Sequence, residues 1–172
     1  KVIDKKIKII IVTDYKDLAD KFFNKYKKHI EIVKKDPDFV VSFGGDGTFF
    51  KSEFLYPNLP KIYLKNSRIG KLAFGKTNEE IISHIIKSNF QITEKTKLEV
   101  FYKNKKKIAM GDILIHNKDL HTAIRMKVYI NDSLIQKEEV IGDGLLVATQ
   151  LGSTGYYKSI TRSYFESDEN IG

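Results

Sequence analysis

The stretch "SFGGDGTFF", residues 42–50, sets one carboxylate, Asp46, among three glycines, Gly44, Gly45 and Gly47, with the hydroxyl of Thr48 just after. A glycine-rich turn between a strand and a helix lets backbone N–H groups approach a phosphate, and the helix terminus adds a favourable dipole. That accounts for the glycines and not for Asp46, because a carboxylate repels phosphate. An acid at this place has one of three jobs. It holds a metal ion between phosphates, it accepts a proton from an attacking hydroxyl, or it simply caps the next helix in a tight turn.

The flanking elements must position this turn. "DFVVSF" at 38–43 reads as the buried strand that enters it, and "FFKSEFLY" can form the helix that leaves it. "KIKIIIVT" at 6–13 and "KIYLKN" at 61–66 are two more buried strands. "YKDLADKFFNKYKKH" at 15–29 spaces Leu18, Phe22 and Tyr26 four apart, which predicts an amphipathic helix with that stripe in the core. "TNEEIISHIIKS" at 77–88 opens with Thr77 and carries Glu80 three residues on, a capping box followed by a helix. Residues 1–90 therefore alternate strand and helix, as in an open, mostly parallel, Rossmann-like α/β sheet. From residue 91 the pattern changes to extended stretches, with hairpin turns at "YKNKKK" and "INDSL". Residues 91–172 read as an antiparallel β domain, with a helix beginning near residue 152.

The 172 residues, 41% of them hydrophobic, suffice for one domain or for one and part of another. With no cysteine, disulfides and thiolate metal sites are excluded. His29, His84, His116 and His121 show no ligand spacing, so no protein metal site is expected. No apolar run approaches the roughly 20 residues that span a bilayer. The opening "KVIDKKIKIIIVTD" lacks a small-residue cleavage site and reads as a first strand rather than a signal peptide. A cytoplasmic protein without a membrane partner is the expectation. The net charge of +8 raises nucleic acid as a partner. Yet the basic residues are nearly all lysine, with Arg68, Arg125 and Arg162 the exceptions, whereas specific DNA readers lean on arginine. Lys, Ile and Asn share AT-rich codons, so genome composition is the expected source of the excess. The positive field still favours a polyanion such as ATP or polyphosphate.

A second stretch, "GDGLLVATQLGSTGYYKS" at 142–159, is again a strand, a turn with small hydroxyl residues and a helix start. Ser153 and Thr154 can donate to phosphate or ribose oxygens, and Asp143 can accept from a ribose hydroxyl or a carboxamide. "SFGGDGTFF" resembles the signature of a kinase superfamily that includes NAD kinases, diacylglycerol and sphingosine kinases, and phosphofructokinases. In that group the aspartate lies next to the phosphoryl acceptor. The 142–159 stretch is similar to the NAD kinase segment D-G-L-I-V-S-T-P-T-G-S-T-A-Y-x-x-S. It matches without a gap at Asp143, Gly144, Leu145, Val147, Thr149, Gly152, Ser153, Thr154, Tyr156 and Ser159. "RIGKLAF" at 68–74 resembles the family's G-x-L-G-F at Gly70, Leu72 and Phe74, with Ala73 in place of a glycine. Phe74 is either a stacking partner for adenine or an ordinary core phenylalanine. "ILIHNKDL" occupies the place of the family's Asn-Glu or Asn-Asp pair. Asn117 matches, and Lys118 puts a cation where the family has an anion.

The resemblance covers about residues 8–160. It implies an ATP- or polyphosphate-dependent NAD kinase, which moves a γ-phosphoryl group to the 2′-hydroxyl of the adenosine ribose of NAD. Asp46 would be the general base or would orient the hydroxyl, and Mg²⁺ would neutralise the donor phosphates. Gly44, Gly45, Gly47 and Thr48 would shape the phosphate site. Phe74, Asn117, Lys118, Asp143, Ser153, Thr154, Tyr157 and Ser159 would contact NAD. The resemblance also implies a dinucleotide cleft between the two domains and a homodimer or homotetramer. Three further departures stand out. Gln150–Leu151 replaces Pro-Thr, Ile141 sits where many members carry Arg or Lys, and the Gly-Gly-Pro continuation after Ser159 is missing. Family members commonly run longer, so the chain is expected to be a truncated portion, with an incomplete β domain, or an unusually short member. Two rivals stay open: a lipid kinase acting on a membrane-bound alcohol, and a nucleotide-binding relative that has lost catalysis.

Overall fold

The computed structural model describes residues 5–68, 70, 72, 75–119 and 121–172. They fall into two compact units, Lys1–Glu94 and Lys95–Gly172.

The first unit is built in the order β1 (Ile7–Val12), α1 (Lys16–Asn24), β2 (Ile30–Ile32), β3 (Phe39–Gly44), α2 (Asp46–Leu55), β4 (Lys61–Lys65) and α3 (Asn78–Ile86). Its four strands form one parallel sheet in the order β2-β1-β3-β4. A parallel sheet is covered on both faces, so its strands are largely apolar. Val40 and Val41 of the inner strand β3 and Ile62 and Leu64 of the edge strand β4 are accordingly buried. Helix α1 differs from expectation. It ends at Asn24, and its buried face is Ala19, Phe22 and Phe23, whereas Leu18 is 52% exposed. The i, i+3, i+4 set makes one compact face, and the small Ala19 lets the helix approach the sheet. Phe22 then packs on Phe43 with ring centroids 5.9 Å apart. Strand β2 was not predicted; only Ile30 of its three residues is buried, too little for a periodic signal. The capping box of α3 is complete, with Glu80 N–H donating to Thr77 Oγ1 at 3.2 Å and Thr77 N–H to Glu80 Oε2 at 2.7 Å.

The second unit contains β5 (Leu98–Tyr102), β6 (Lys105–Ala109), β7 (Asp112–His116), β8 (Ile124–Met126), β9 (Tyr129–Ile130), β10 (Ser133–Leu134), β11 (Val140–Gly142) and β12 (Gly144–Ala148). They pair antiparallel as β5–β6, β7–β12, β8–β11 and β9–β10. Both expected hairpin turns form. Between β9 and β10, Asn131 (φ 48°) and Asp132 (φ 62°) both take the left-handed conformation that suits the strand twist. A helical run from Gln150 to Thr161 follows β12; it widens at Ser153–Tyr157 and is broken at Gly155 (φ −96°, ψ −117°). The fold is thus the expected one, a parallel α/β part followed by antiparallel strands.

Candidate active site

The glycine-rich turn lies at the carboxyl edge of the parallel sheet, where ligands of open α/β sheets bind. β3 ends at Gly44, whose carbonyl still accepts from Asn66 N–H at 2.8 Å. Gly45 is extended (φ −103°, ψ −174°), and its carbonyl accepts the first helical bond from Phe49 N–H at 3.1 Å. Asp46 is therefore the first residue of α2. Gly44 is required by close approach: a Cβ there would lie 2.4 Å from Thr48 Oγ1. At Gly47 a Cβ would meet nothing within 4 Å. The turn is tight on the protein side and open at its tip.

Asp46 is held by the neighbouring strand. Its Oδ1 accepts from the Tyr63 hydroxyl at 2.9 Å and from Leu72 N–H at 3.3 Å. Burial first, and then the bond to Asp46, push the Tyr63 phenol well above its usual range. The far end of α2 is fixed by Lys61, whose ammonium lies 2.7 Å from Glu53 Oε2 and donates to the Tyr56 and Leu59 carbonyls. Lys51 of α2 pairs with Asp14, just beyond β1, at 3.2 Å. A groove of about 570 Å³ opens at the same sheet edge, lined by Lys65, Asn66, Ser67, Arg68, Lys76 and Thr77. Ser67 adjoins the turn, 3.4 Å from where a Gly45 Cβ would sit. The arrangement can accept a proton at Asp46 and attract phosphate beside it.

The second unit gathers Asn117, Lys118 and Asp143 at one end of the β7–β12 pair. Gly144 is in register with His116, and Asn117 N–H donates to the Asp143 carbonyl at 3.2 Å. Asn117 is 6% exposed, and its amide nitrogen donates to the Thr122 carbonyl, closing the turn. Lys118 and Asp143 are exposed. The other predicted residues follow the opposite end of β12. Buried Ser153 donates to the Gln150 carbonyl at 2.7 Å and accepts from Phe165 N–H at 2.9 Å. Thr154 donates to the Leu151 carbonyl at 3.2 Å and Ser159 to the Tyr156 carbonyl at 2.6 Å. The Tyr157 ring packs on Phe165 with centroids 4.8 Å apart.

Phe74 lies outside the described residues. Sequence reasoning missed Tyr63 and the Leu72 amide. A phenol in an otherwise aliphatic strand was the signal for the first; a backbone amide leaves none.

No family model matches the chain. An NAD kinase of Saccharolobus islandicus is 31% identical over 144 residues, which is 83% of this chain and 55% of that protein. An NAD kinase of Chloroherpeton thalassium is 30% identical over 133 residues, 74% of this chain and 46% of that protein. One from Flavobacterium psychrophilum is 27% identical over 168 residues, 92% of this chain and 55% of that protein. Among solved structures, that of an NAD kinase from Archaeoglobus fulgidus in complex with ATP superposes with a TM-score of 0.67 at 19% identity, covering 97% of this chain and 69% of that one. This last likeness establishes the fold. The chain spans about half the length of the curated relatives it matches. On the sequence likeness, and with the two motifs in place on the matching fold, the chain is similar to NAD kinases over most of its length.

Proposed function

We propose that this chain carries the phosphoryl-transfer apparatus of an NAD kinase. The observation that supports it best is the Asp46 carboxylate, held by Tyr63 and Leu72 at the mouth of a glycine turn beside a basic groove. In this reading the 2′-oxygen of the adenosine ribose of NAD attacks the γ-phosphorus of ATP, or the terminal phosphorus of polyphosphate. The bond to the bridging oxygen breaks, Asp46 takes the hydroxyl proton, and NADP and ADP (or a polyphosphate one unit shorter) leave. Gly44, Gly45, Gly47, Thr48 and the cations of the groove receive the donor phosphates. Asn117, Lys118, Asp143, Thr154, Tyr157 and Ser159, with Phe74, serve NAD, while Ser153 shapes the turn that presents them. Among the described residues no three His, Cys, Asp or Glu side chains cluster to hold a metal. A Mg²⁺ ion carried by the donor phosphates would neutralise their charge. The same reading makes the protein a cytoplasmic homodimer or homotetramer without nucleic-acid or membrane partners; light scattering tests its assembly.

The decisive assay offers NAD, NADH and diacylglycerol as acceptors to the intact gene product, with ATP or polyphosphate as donor. Phosphorylation of NAD or NADH supports the proposal, and phosphorylation of diacylglycerol alone sinks it. Asp46→Asn is expected to lower turnover by roughly 10²–10⁴-fold while NAD still binds. Near-normal turnover in that variant would reject Asp46 as the base.

A further inference from the structure

A carboxylate at the first position of a helix has a competing use. Aspartates there readily turn back to the free N–H groups of their own helix. Asp46 instead points its Oδ1 at β4, toward the Tyr63 hydroxyl and the Leu72 amide. Tyr63 also hydrogen-bonds the Ser67 side chain, and it has little freedom to move. It is 2% exposed, in register with Ser42 of β3, and its ring stacks on Phe49 of α2 at 5.3 Å and 21°. Gly70 comes so close that a Cβ there would lie 2.7 Å from the phenol oxygen. The phenol, held above its usual range by burial and by Asp46, keeps its proton and stays a donor across neutral and moderately alkaline pH.

We propose that Tyr63 is a positioning residue for phosphoryl transfer: with the Leu72 amide, it holds the Asp46 carboxylate away from its own helix and in the single orientation that meets the acceptor hydroxyl. The inference rests on the NAD kinase reading above. It adds a residue from an apolar strand to the reaction machinery.

Tyr63→Phe removes one oxygen and leaves the Phe49 stack and the core volume in place. Misplacing a reacting group by about 1 Å costs up to about a hundredfold in rate. The variant is therefore expected to lose about tenfold to a hundredfold in kcat, with KM for NAD and ATP within about twofold and an unchanged melting temperature. Added to Asp46→Asn, it should cost nothing further, because its effect runs through the carboxylate. An unchanged kcat, a rise in KM in place of the fall in kcat, or a full further loss on top of Asp46→Asn overturns the proposal. A wild-type protein that phosphorylates no NAD overturns the reading of the reaction instead. The positioning is then read directly from the couplings to the Asp46 β-protons by NMR. One rotamer in the wild type and averaging in Tyr63→Phe are expected; averaging already present in the wild type refutes the inference.

Discussion

At the residue scale, Lys118 is the sharpest departure from the family motif. It is exposed, beside the buried Asn117 and at the same end of the β7–β12 pair as Asp143. An acid there would accept from ribose hydroxyls; lysine only donates, and so favours a phosphate or a carbonyl. Lys118 is therefore expected to weaken NAD binding relative to a more anionic ligand such as NADP. Lys118→Glu should tighten NAD and loosen NADP, with the ratio of dissociation constants moving by about tenfold or more, equivalent to about 1.4 kcal/mol. Titration calorimetry with both ligands measures it. Equal affinities before and after would mean that the lysine stem simply turns the ammonium to solvent.

At the scale of elements, β4 and α3 together build the edge that carries the groove. β4 supplies Tyr63 to Asp46 and Lys65 to the groove. The start of α3 is tied to the end of β4, since Asn78 Nδ2 donates to the Lys65 carbonyl at 3.0 Å. The capping box at Thr77 therefore supports the groove as well as the helix. Thr77→Ala is expected to destabilise the protein by about 1 kcal/mol, the usual cost of an N-cap. The Glu80 carboxyl is held below its usual range, first by the Thr77 backbone N–H and then by the Thr77 hydroxyl. A carboxyl lowered on folding contributes stability above its unfolded pKa and loses it as pH falls through the folded value. The Thr77→Ala penalty should therefore shrink in acid. Denaturant titrations of both proteins at neutral and acid pH measure it, and a penalty independent of pH would mean that the bond from the Thr77 hydroxyl to Glu80 contributes nothing.

At the scale of the whole molecule, the charge of +8 has a kinetic consequence. A net positive field raises the local concentration of polyanions and fades with salt, as the Debye length falls from about 10 Å at 0.1 M to about 3 Å at 1 M. ATP carries more negative charge than NAD. The KM for ATP is thus expected to climb several-fold over that range, and the KM for NAD much less. Parallel curves for the two substrates would assign the lysine excess to composition alone.

The sequence by itself determined the strands and helices up to α3 other than β2, the α3 capping box and the two hairpin turns, because each rests on local pattern and backbone preference. The two motifs likewise marked Asp46 and the 142–159 segment, since their spacing needs no distant partner. Tertiary packing decided the rest. Ala19 took the core place expected for Leu18, because the approach of α1 to the sheet selects which neighbouring face is buried. Ser153, alike in type to Thr154, sank to 0% exposure and turned its hydroxyl to the backbone at Gln150 and Phe165. The contact between Tyr63 and Asp46 joins residues 17 apart. It exists because the β3–β4 register sets Tyr63 opposite Ser42, a pairing fixed by the hydrogen bonds of the sheet and not by any spacing along the chain.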